Sequence, residues 1–228
     1  MNKRAVVLSS GGIDSTTTMA IAKADGYMIY AMSFVYGQRH SVEIESAKKV
    51  ADFFKAKEHV ILDLDLSKIQ DSSLTYNGEV PKDRKEDSFL NEIPNTYVSS
   101  RNIIFLSYAL AWAEKLKTGA IFIGVTAVDY SGYPDCRPET INAFEHLANL
   151  GTKAACQGEI RFKIHTPLIH LNKAQIIKKG LELGVDYSIT HSCYDPDKND
   201  KPCGHCDSCI LRLKGFSELG MKDPALIL

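Results

Sequence analysis

The sequence contains no long apolar run and no excess of charge of either sign. Its most apolar stretch, NIIFLSYALAWA at Asn102–Ala113, is shorter than the roughly 20 residues that a membrane-spanning helix requires. The first apolar run, after a basic tip, is too short for the apolar region of a secretory signal. Lysine and arginine total 27 against 28 aspartates and glutamates, so the overall charge favours neither nucleic acid nor a membrane surface as a partner. These absences predict a soluble, cytoplasmic protein with no nucleic-acid or membrane partner.

Two common nucleotide-binding signatures are also missing. The sequence has no GxxxxGK[ST] motif and no GxGxxG motif, which disfavours a standard P-loop NTPase and a dinucleotide-binding protein. It has no internal repeat and no low-complexity tract. A length of 228 residues with 44% apolar content suits one α/β domain, or one domain with a small appendage.

The chain alternates short β-branched runs with helical patterns. Four runs are typical of strands buried on both faces of a sheet: Arg4–Ser9, Tyr27–Gly37, His59–Asp65 and Ala120–Val125. Helical patterns lie between them at Ser15–Asp25, Ser41–Lys55 and Ser99–Lys117. The order β-α-β-α-β-α-β predicts an α/β fold with a doubly wound, mostly parallel, Rossmann-like sheet. Two more helical patterns follow at Glu139–Ala155, interrupted by Gly151, and at Asn172–Gly184.

A polar segment at Ser67–Asn95 interrupts this alternation after the third predicted strand. It is rich in charged and turn-forming residues, so one interpretation is a solvated loop. Unstructured loops of this length are uncommon in compact domains, and the other interpretation is a lid or a subunit contact.

The loop SSGGIDS joins the first predicted strand to the first helix. Ligands of a doubly wound sheet bind beyond the carboxyl ends of the strands, so this loop is an expected ligand site. Gly11 and Gly12 let the backbone approach an oxyanion. Three hydroxyl donors, Ser9, Ser10 and Ser15, stand beside the positive end of the helix dipole. The loop therefore predicts phosphate binding.

Four of the six cysteines lie in the last 36 residues: Cys193, Cys203, Cys206 and Cys209. In a reducing cytosol a metal explains such a cluster better than disulfides do. Two overlapping CxxC steps bring three thiolates together, and Cys193 completes a tetrahedral Zn²⁺ site. The alternatives are a redox CxxC pair and an iron-sulfur cluster. His205 is interpreted as a bystander or as a group that supports the ligands.

The cysteine cluster suggests a division of the chain. We expect a nucleotide-binding α/β domain over residues 1–190, with the insertion at about 67–95, and a small C-terminal zinc-binding helical region over residues 191–228. Cys136 and Cys156 stand apart from the cluster, and we predict that Cys156, on a helix, is a small buried side chain.

Four charged residues follow the fourth predicted strand: Asp129, Asp135, Arg137 and Glu139. Its position beyond a strand end favours ligand contact. Carboxylates there can accept hydrogen bonds from the N1–H and exocyclic amine of a guanine-like ring, and Arg137 can hold an acidic substituent. The alternative is an exposed polar loop. Arg101, at the start of the long helix, is expected near the same edge of the sheet, although an ordinary helix start explains it as well.

The loop SGGIDS resembles the pyrophosphate-binding loop of the adenine nucleotide α-hydrolase-like ATP pyrophosphatases. Together with VSSRN, DYSGYPDCRPE, TPLIHLNKAQI, SCY and CGHCDSCILR, it resembles the 7-cyano-7-deazaguanine synthase (preQ0 synthase) family over about Val6–Arg212. The resemblance implies an ATP-dependent carbon–nitrogen ligase of queuosine biosynthesis. Such an enzyme converts 7-carboxy-7-deazaguanine and ammonia to 7-cyano-7-deazaguanine, adenylating first the carboxylate and then the amide, and releases AMP and pyrophosphate.

The resemblance also implies roles for individual residues. The expected ATP-binding residues are Leu8, Ser9, Ser10, Gly11, Gly12, Ile13, Asp14, Ser15, Thr16, Thr17 and Thr18. Asp14, Ser15 and Lys173 are the expected catalytic residues: Asp14 orients the loop or Mg²⁺, Ser15 donates a hydrogen bond, and Lys173 reaches the nucleotide phosphates unless it is an ordinary surface lysine. The expected substrate-binding residues are Arg101, Asp129, Asp135, Arg137 and Glu139. Zn²⁺ would bind the four clustered cysteines.

The expected partners are a small-molecule substrate, ammonia and a second copy of the chain in a homodimer. No second domain is long enough to be a glutaminase, so ammonia is expected free or from another chain. Two other functions compete. Another ATP pyrophosphatase, acting in tRNA thiolation or ammonia-dependent amidation, would be preferred if Cys136 or Cys156 were catalytic. A non-enzymatic zinc-ribbon binding module is the second alternative.

Overall fold

The computed structural model describes residues 3–38, 41–66, 72–75, 78–84, 93–128 and 133–226. Within them the chain forms a parallel sheet of five strands. The strands are β1 (Arg4–Leu8), β2 (Met28–Val35), β3 (Glu58–Asp63), β4 (Ala120–Phe122) and β5 (Lys163–His165), in the spatial order β3-β2-β1-β4-β5. All four strand pairings are parallel, with Ala5 of β1 opposite Ile29 of β2 and Ala120 of β4.

Helices cover both faces of this sheet. They are α1 (Ile13–Ala24), α2 (Val42–Phe53), α3 (Arg101–Lys115), α4 (Pro138–Gly151), α5 (Lys153–Cys156), α6 (Lys173–Glu182) and α7 (Asp207–Glu218). Successive residues of β1 belong to two separate hydrophobic cores. Val6 lies in the core that contains Leu106 and Trp112 of α3, whereas Val7 lies in the core that contains Met19 of α1. The doubly wound Rossmann-like fold is therefore confirmed.

Two details of the sheet differ from the sequence expectation. β5 was not predicted, because three residues are too short to show a strand pattern; its Lys163 pairs with Ala120 of β4. β3 is not buried on both faces, since it forms an edge of the sheet and consists only of exposed and half-buried residues. A hydrophobic run alone does not separate an edge strand from a central one.

The described residues of the predicted insertion, 72–75, 78–84 and 93–95, contact the rest of the protein. Leu74 and Val80 are buried in the main core, and Lys82 forms an isolated antiparallel bridge with Cys206. Arg84 makes an ion pair with the buried Asp207 at 2.9 Å. The solvated-loop interpretation is therefore wrong for the buried residues 72–75 and Val80, whereas Glu79, Lys82 and Asp83 are exposed. The lid or subunit contact stays a prediction.

The C-terminal helix packs directly on the α/β unit. Gly215 of α7 meets α6 so closely that an added Cβ would lie 2.8 Å from the Lys173 side chain. Arg212, also in α7, is buried, and Asp223 accepts hydrogen bonds from it at 2.6 and 2.8 Å. The division near residue 190 remains a prediction. Among the described residues, no helix has both the length and the apolar character needed to cross a membrane.

Candidate active site and metal centre

A cavity of about 220 Å³ opens at the carboxyl ends of the central strands. The loop after β1 forms one wall of it, and the ends of β2 and β4 form its floor. The start of α2, the start of α3 and the segment from His191 to Tyr194 also line it, together with Tyr133, Cys136, Lys173 of α6, and Ser208, Leu211 and Arg212 of α7. This is the edge where a doubly wound sheet places its ligand, because two neighbouring strand connections leave in opposite directions there.

The two glycines of the loop after β1 serve different purposes. Gly11 has a positive φ of 76°, and an added Cβ would lie 2.5 Å from the backbone nitrogen of Ala47 in α2. Its carbonyl oxygen also accepts a hydrogen bond from the backbone of His191 at 3.0 Å. Gly11 therefore lets α2 approach the loop rather than a ligand. Gly12 lines the cavity, and an added Cβ would meet only ordinary contacts of 3.5 Å.

Hydroxyl groups hold the loop in shape. The Ser15 hydroxyl accepts a hydrogen bond from the backbone of Ser10 at 3.1 Å and donates to the Gly12 carbonyl at 3.2 Å. Thr16 donates to the same carbonyl at 2.7 Å. The Ser9 hydroxyl is buried and has no partner among the described residues. The loop is thus fixed before any ligand binds.

The expected ATP-binding segment divides into two parts. Leu8, Ser9, Ser10, Gly12, Ile13, Asp14 and Ser15 line the cavity. Thr16, Thr17 and Thr18 are fully buried in α1 and are absent from its lining. The Thr17 hydroxyl instead lies 2.7 Å from the Tyr187 hydroxyl. These threonines pack α1 into the protein, and their contact with ATP stays a prediction.

Asp14 and Lys173 form an ion pair within the cavity lining. Nζ of Lys173 donates to both carboxylate oxygens of Asp14, at 2.6 and 2.8 Å. Lys173 is the first residue of α6, and a capping box of Asn172 and Gln175 fixes the start of this helix. Its exposure is only 9%, so the interpretation as an ordinary surface lysine is wrong.

Arg101 and Glu43 also line the cavity. The Arg101 guanidinium lies over the Tyr36 ring, 5.5 Å from its centre, and donates to the Tyr36 hydroxyl at 3.4 Å. Burial raises the pKa of Glu43 from its ordinary value of 4.5 to about 7, although the positive charge of Arg101 acts in the other direction. Burial also raises the pKa of the Tyr36 hydroxyl. Phe34 and Phe105 stack nearby with ring centres 3.9 Å apart.

The remaining expected substrate residues are not gathered in this cavity. Asp129 lies outside the described residues. Asp135 is buried, and its carboxylate accepts a hydrogen bond from the backbone of Asn102 at 2.9 Å, so it caps the start of α3. Arg137 and Glu139, at the start of α4, are exposed and are not part of the lining. Their contact with a substrate stays a prediction.

The two isolated cysteines differ in environment. Cys136 is buried at the cavity wall, and burial raises the pKa of its thiol to about 12. A thiol with so high a pKa is a poor nucleophile, because the thiolate is the reactive form. Cys156 is exposed, so the prediction that it is buried is wrong: α5 is a four-residue helix whose last side chain faces solvent.

The other four cysteines form one cluster. The sulfur atoms of Cys193, Cys203, Cys206 and Cys209 all lie within 4.8 Å of one another. A tetrahedral Zn²⁺ with Zn–S bonds of about 2.3 Å places its sulfur ligands roughly 3.8 Å apart, so this cluster fits the ion. Three of the four residues are buried, which is typical of a closed structural site rather than a catalytic one.

Backbone amides also point at the sulfur atoms. Cys193 accepts hydrogen bonds from the backbone of Asp195 at 3.3 Å and of Cys203 at 3.2 Å. Cys203 accepts from the backbone of His205 at 3.4 Å and of Cys206 at 3.3 Å. Such donors favour thiolates over thiols. The His205 ring is turned away from the cluster, since its Nδ1 lies 2.9 Å from the Asp83 carboxylate.

The sequence analysis did not identify Glu43, Tyr36 or Arg212 as lining residues. Glu43 stands in the first turn of α2, where an acidic residue is ordinarily explained by the helix dipole. Arg212 belongs to the cysteine-rich motif CILR, and its Nη1 donates to Ser192 at 3.4 Å. Ser192 in turn accepts a hydrogen bond from the backbone of Ile13 at 3.4 Å. The metal-binding region is thereby connected to the loop after β1.

Comparison with known proteins gives consistent matches over almost the whole chain. The family model described as queuosine biosynthesis protein QueC matches residues 4–220. Curated relatives named 7-cyano-7-deazaguanine synthase occur in Syntrophobacter fumaroxidans, with 60% identity over 222 residues, and in Syntrophus aciditrophicus, with 62% over 223. A third, from Syntrophotalea carbinolica, is 60% identical over 225 residues. These alignments cover 97%, 98% and 99% of this chain and 95%, 96% and 96% of the relatives.

Proposed function

The chain belongs to the family of the queuosine biosynthesis protein QueC, and from this membership we propose that it is an ATP-dependent carbon–nitrogen ligase. Its substrates are 7-carboxy-7-deazaguanine, ammonia and ATP, and its products are 7-cyano-7-deazaguanine, AMP and pyrophosphate. The observation that carries the proposal is one cavity lined by a phosphate-type loop, by a Lys–Asp pair and by the Arg101 guanidinium.

The loop after β1 binds the pyrophosphate part of ATP. Its backbone amides and the N-terminus of α1 offer donors and the positive end of a helix dipole to an anion. Lys173 supplies a positive charge at the same place, and Asp14 holds that charge in position. Electrostatic stabilisation of the departing pyrophosphate then needs little movement of the protein. Asp14 would also orient Mg²⁺ brought by the nucleotide, through the carboxylate lone pairs that Lys173 does not use.

Arg101 binds the carboxylate of the substrate. Among the described residues, Lys173 is paired with Asp14 and Arg212 with Asp223. The Arg101 guanidinium makes no ion pair of this kind with a residue that the structure describes: its side-chain hydrogen bond goes to the Tyr36 hydroxyl, and the Glu43 and Asp135 carboxylates act on it only electrostatically. A guanidinium that is not hydrogen-bonded to a protein carboxylate can donate two parallel N–H hydrogen bonds to the carboxylate of a substrate. The aromatic side chains Phe34 and Phe105 supply a flat apolar wall for a planar ring system.

The chemistry requires two activations by ATP. A carboxylate oxygen is a poor leaving group, so adenylation converts it into part of AMP, and ammonia then displaces AMP to form the primary amide. A second adenylation, on the amide oxygen, lets that oxygen leave and produces the nitrile. The cavity holds the reacting groups in one orientation, and positioning with electrostatic stabilisation supplies most of the acceleration.

Zn²⁺ has a structural role in this proposal. The four clustered cysteines hold it, and the ion fastens the segment between Cys193 and Cys209 at the start of α7. Arg212 of α7 donates to Ser192, and Ser192 accepts a hydrogen bond from the backbone of Ile13. These two contacts connect the zinc-binding segment to the phosphate loop. Ammonia is taken up free or from another chain, and the protein acts as a homodimer with no nucleic-acid partner in the cytoplasm.

Two other functions are less well supported. Sulfur transfer to tRNA needs a reactive cysteine at the site, but Cys136, at the cavity wall, has a raised pKa. A zinc-dependent binding module would not need the ordered loop and ion pair that line the cavity.

The decisive experiment mixes the purified protein with ATP, Mg²⁺, ammonium and 7-carboxy-7-deazaguanine and follows the nucleotide and base products by mass spectrometry. The proposal expects the cyano product together with AMP and pyrophosphate. Formation of AMP only with another acceptor would overturn the substrate, and no nucleotide turnover with any acceptor would favour the binding module.

A paired substitution tests the role of Arg101. We expect Arg101→Met to weaken binding of the carboxylate substrate by roughly 100-fold, as loss of a charge-assisted contact of about 3 kcal/mol requires. The control is Arg137→Met, which removes an exposed arginine outside the cavity lining. Equal losses of substrate affinity in both variants would contradict the assignment to Arg101. A loss of affinity in Arg137→Met alone would assign binding of the substrate carboxylate to Arg137.

A further inference from the structure

Conversion of ammonium to a nitrile requires a proton acceptor. Ammonium carries four protons and the nitrile nitrogen carries none, so four protons must leave one nitrogen atom during the two ATP-dependent steps. Two leave while the amide forms, and two leave when the adenylated amide loses AMP. This inference rests on the proposed function, because it is the proposed reaction that removes all four protons from the nitrogen.

Few side chains of the described lining can accept these protons. Asp14 is occupied by Lys173 at 2.6 and 2.8 Å. Burial raises the pKa of the Cys136 thiol to about 12, so its thiolate is scarce at neutral pH. Two groups remain, His191 and Glu43. The His191 backbone lies beside the phosphate loop, where it donates to Gly11, whereas the Glu43 carboxylate is close enough to Arg101 to be influenced by its charge. Glu43 is therefore the candidate beside the proposed binding site of the substrate carboxylate.

Glu43 has the position that the role needs. It stands in the first turn of α2, whose backbone is in close contact with the phosphate loop: its carbonyl oxygen would lie 2.8 Å from a Cβ added to Gly11. Its side chain lines the same cavity as Arg101. The carboxylate makes no hydrogen bond and no ion pair of 4 Å or less with any residue that the structure describes. It is therefore available to a ligand.

The electrostatic surroundings of Glu43 also suit proton transfer. A base works best when its pKa is close to the working pH. Burial raises the pKa of Glu43 to about 7, while Arg101 keeps it from rising further. The carboxylate is thereby a much better proton acceptor than an exposed glutamate, and it can return the proton to solvent between steps.

We propose that the Glu43 carboxylate is the proton acceptor of both nitrogen-handling steps, facing the carbon whose carboxylate Arg101 holds. It takes one proton from ammonium, and the resulting ammonia forms a bond to the carbonyl carbon. The bond from that carbon to the AMP oxygen breaks, AMP keeps the electron pair, and the second proton leaves the nitrogen to Glu43. In the second step the two amide protons leave in the same way as the adenylated oxygen departs with AMP.

Partial reactions separate proton transfer from substrate binding. Adenylation of the carboxylate moves no proton from nitrogen, and exchange of labelled pyrophosphate into ATP, with 7-carboxy-7-deazaguanine present and ammonium absent, measures it alone. Nitrile formation with ammonium measures the complete reaction. The variants are Glu43→Gln, Glu43→Asp as the conservative form, and Glu45→Gln as the control, since Glu45 lies on the same helix but is exposed and paired with Lys48.

We expect Glu43→Gln to retain the exchange reaction within a few fold and to lose roughly 100-fold to 10,000-fold in nitrile formation, the usual contribution of a general base. Glu43→Asp restores part of the loss, and Glu45→Gln behaves like the unchanged protein. Hydroxylamine is largely unprotonated near neutral pH, and its attack on the acyl adenylate releases AMP and one proton and forms the hydroxamic acid instead of the amide. Hydroxamate formation should therefore be less impaired in Glu43→Gln than nitrile formation from ammonium, because no proton has to leave the nucleophile before attack.

Three results would overturn the inference. Nitrile formation by Glu43→Gln at the rate of the unchanged protein would remove the need for this base. Equal loss of exchange and of nitrile formation in a folded Glu43→Gln protein would assign Glu43 to substrate binding. Absence of substrate-dependent exchange in the unchanged protein would instead contradict the proposed function, and the inference with it.

Discussion

Nζ of Lys173 lies 2.6 and 2.8 Å from the two carboxylate oxygens of Asp14, across 159 residues of sequence. Asp14 belongs to the first turn of α1, directly after the phosphate loop, and Lys173 begins α6. The pair therefore fixes one positive and one negative charge at the end of the cavity where the nucleotide phosphates are proposed to bind.

Asp14→Ala is predicted to lower pyrophosphate exchange by more than about 100-fold, because the lysine loses the group that positions it. The same change leaves a Lys173 ammonium of 9% exposure without its carboxylate, so we expect the protein to stay folded but to lose about 1–3 kcal/mol of unfolding free energy. Thermal unfolding and exchange kinetics measure the two effects.

The double variant Asp14→Ala/Lys173→Met is the matched control for that prediction. It removes both charges, so it should recover part of the lost stability without recovering activity. Recovery of activity in the double variant would mean that the pair is only a structural contact.

Gly11→Ala and Gly12→Ala are predicted to fail in different ways. Gly11→Ala places a Cβ 2.5 Å from the α2 backbone at a φ of 76° and should cost at least about 2 kcal/mol of unfolding free energy. Gly12→Ala meets only contacts of 3.5 Å and should cost less than about 1 kcal/mol, while weakening ATP binding. Denaturant unfolding and nucleotide titration of both variants measure this contrast, and equal losses of stability would contradict it.

Cys206→Ser is predicted to release Zn²⁺ and to lower the solubility of the protein, because binding of a structural zinc supplies roughly 10 kcal/mol of local folding free energy. Metal analysis and thermal unfolding measure the loss, and a strong chelator should reproduce it in the unchanged protein. Cys156→Ser changes an exposed cysteine outside the cluster and should keep its zinc. A fully active, zinc-free Cys206→Ser protein would refute the structural role.

Glu43 is predicted to make the stability of the protein depend on pH. Its pKa is about 7 in the folded protein against 4.5 ordinarily, so between these values the folded state binds more protons than the unfolded state. The contribution of Glu43 to the free energy of unfolding is therefore fully present below about pH 4.5 and is lost as the pH rises through 7. Glu43→Gln should therefore gain about 1–2 kcal/mol relative to the unchanged protein between pH 5 and pH 8.

Thermal unfolding of both proteins at several pH values tests this prediction. Glu45→Gln, with its exposed carboxylate on the same helix, is the control. A Glu43→Gln protein that is less stable than the unchanged protein at pH 8 would mean that the carboxylate has a stabilising partner in the fold.

Much of the fold could be predicted because it depends on local patterns. The β-branched runs and helical periodicities placed β1, β2, α1, α2 and α3 to within a few residues. β5 could not be predicted, since its three residues form a strand only by pairing with β4. The exposure of β3 could not be predicted either, because the position of a strand in the sheet depends on connections between distant segments.

The sequence by itself determined the features that depend on residue type and close spacing: the phosphate loop, the four-cysteine cluster and the family to which the chain belongs. The tertiary structure alone decided which distant groups meet. It brought Lys173 to Asp14, placed Glu43 in the same cavity as Arg101 and left Arg137 outside the cavity lining. A motif fixes chemistry along the chain, but the side chains that share one cavity come from different strand ends, and only the packing of the helices on the sheet sets the distances between them.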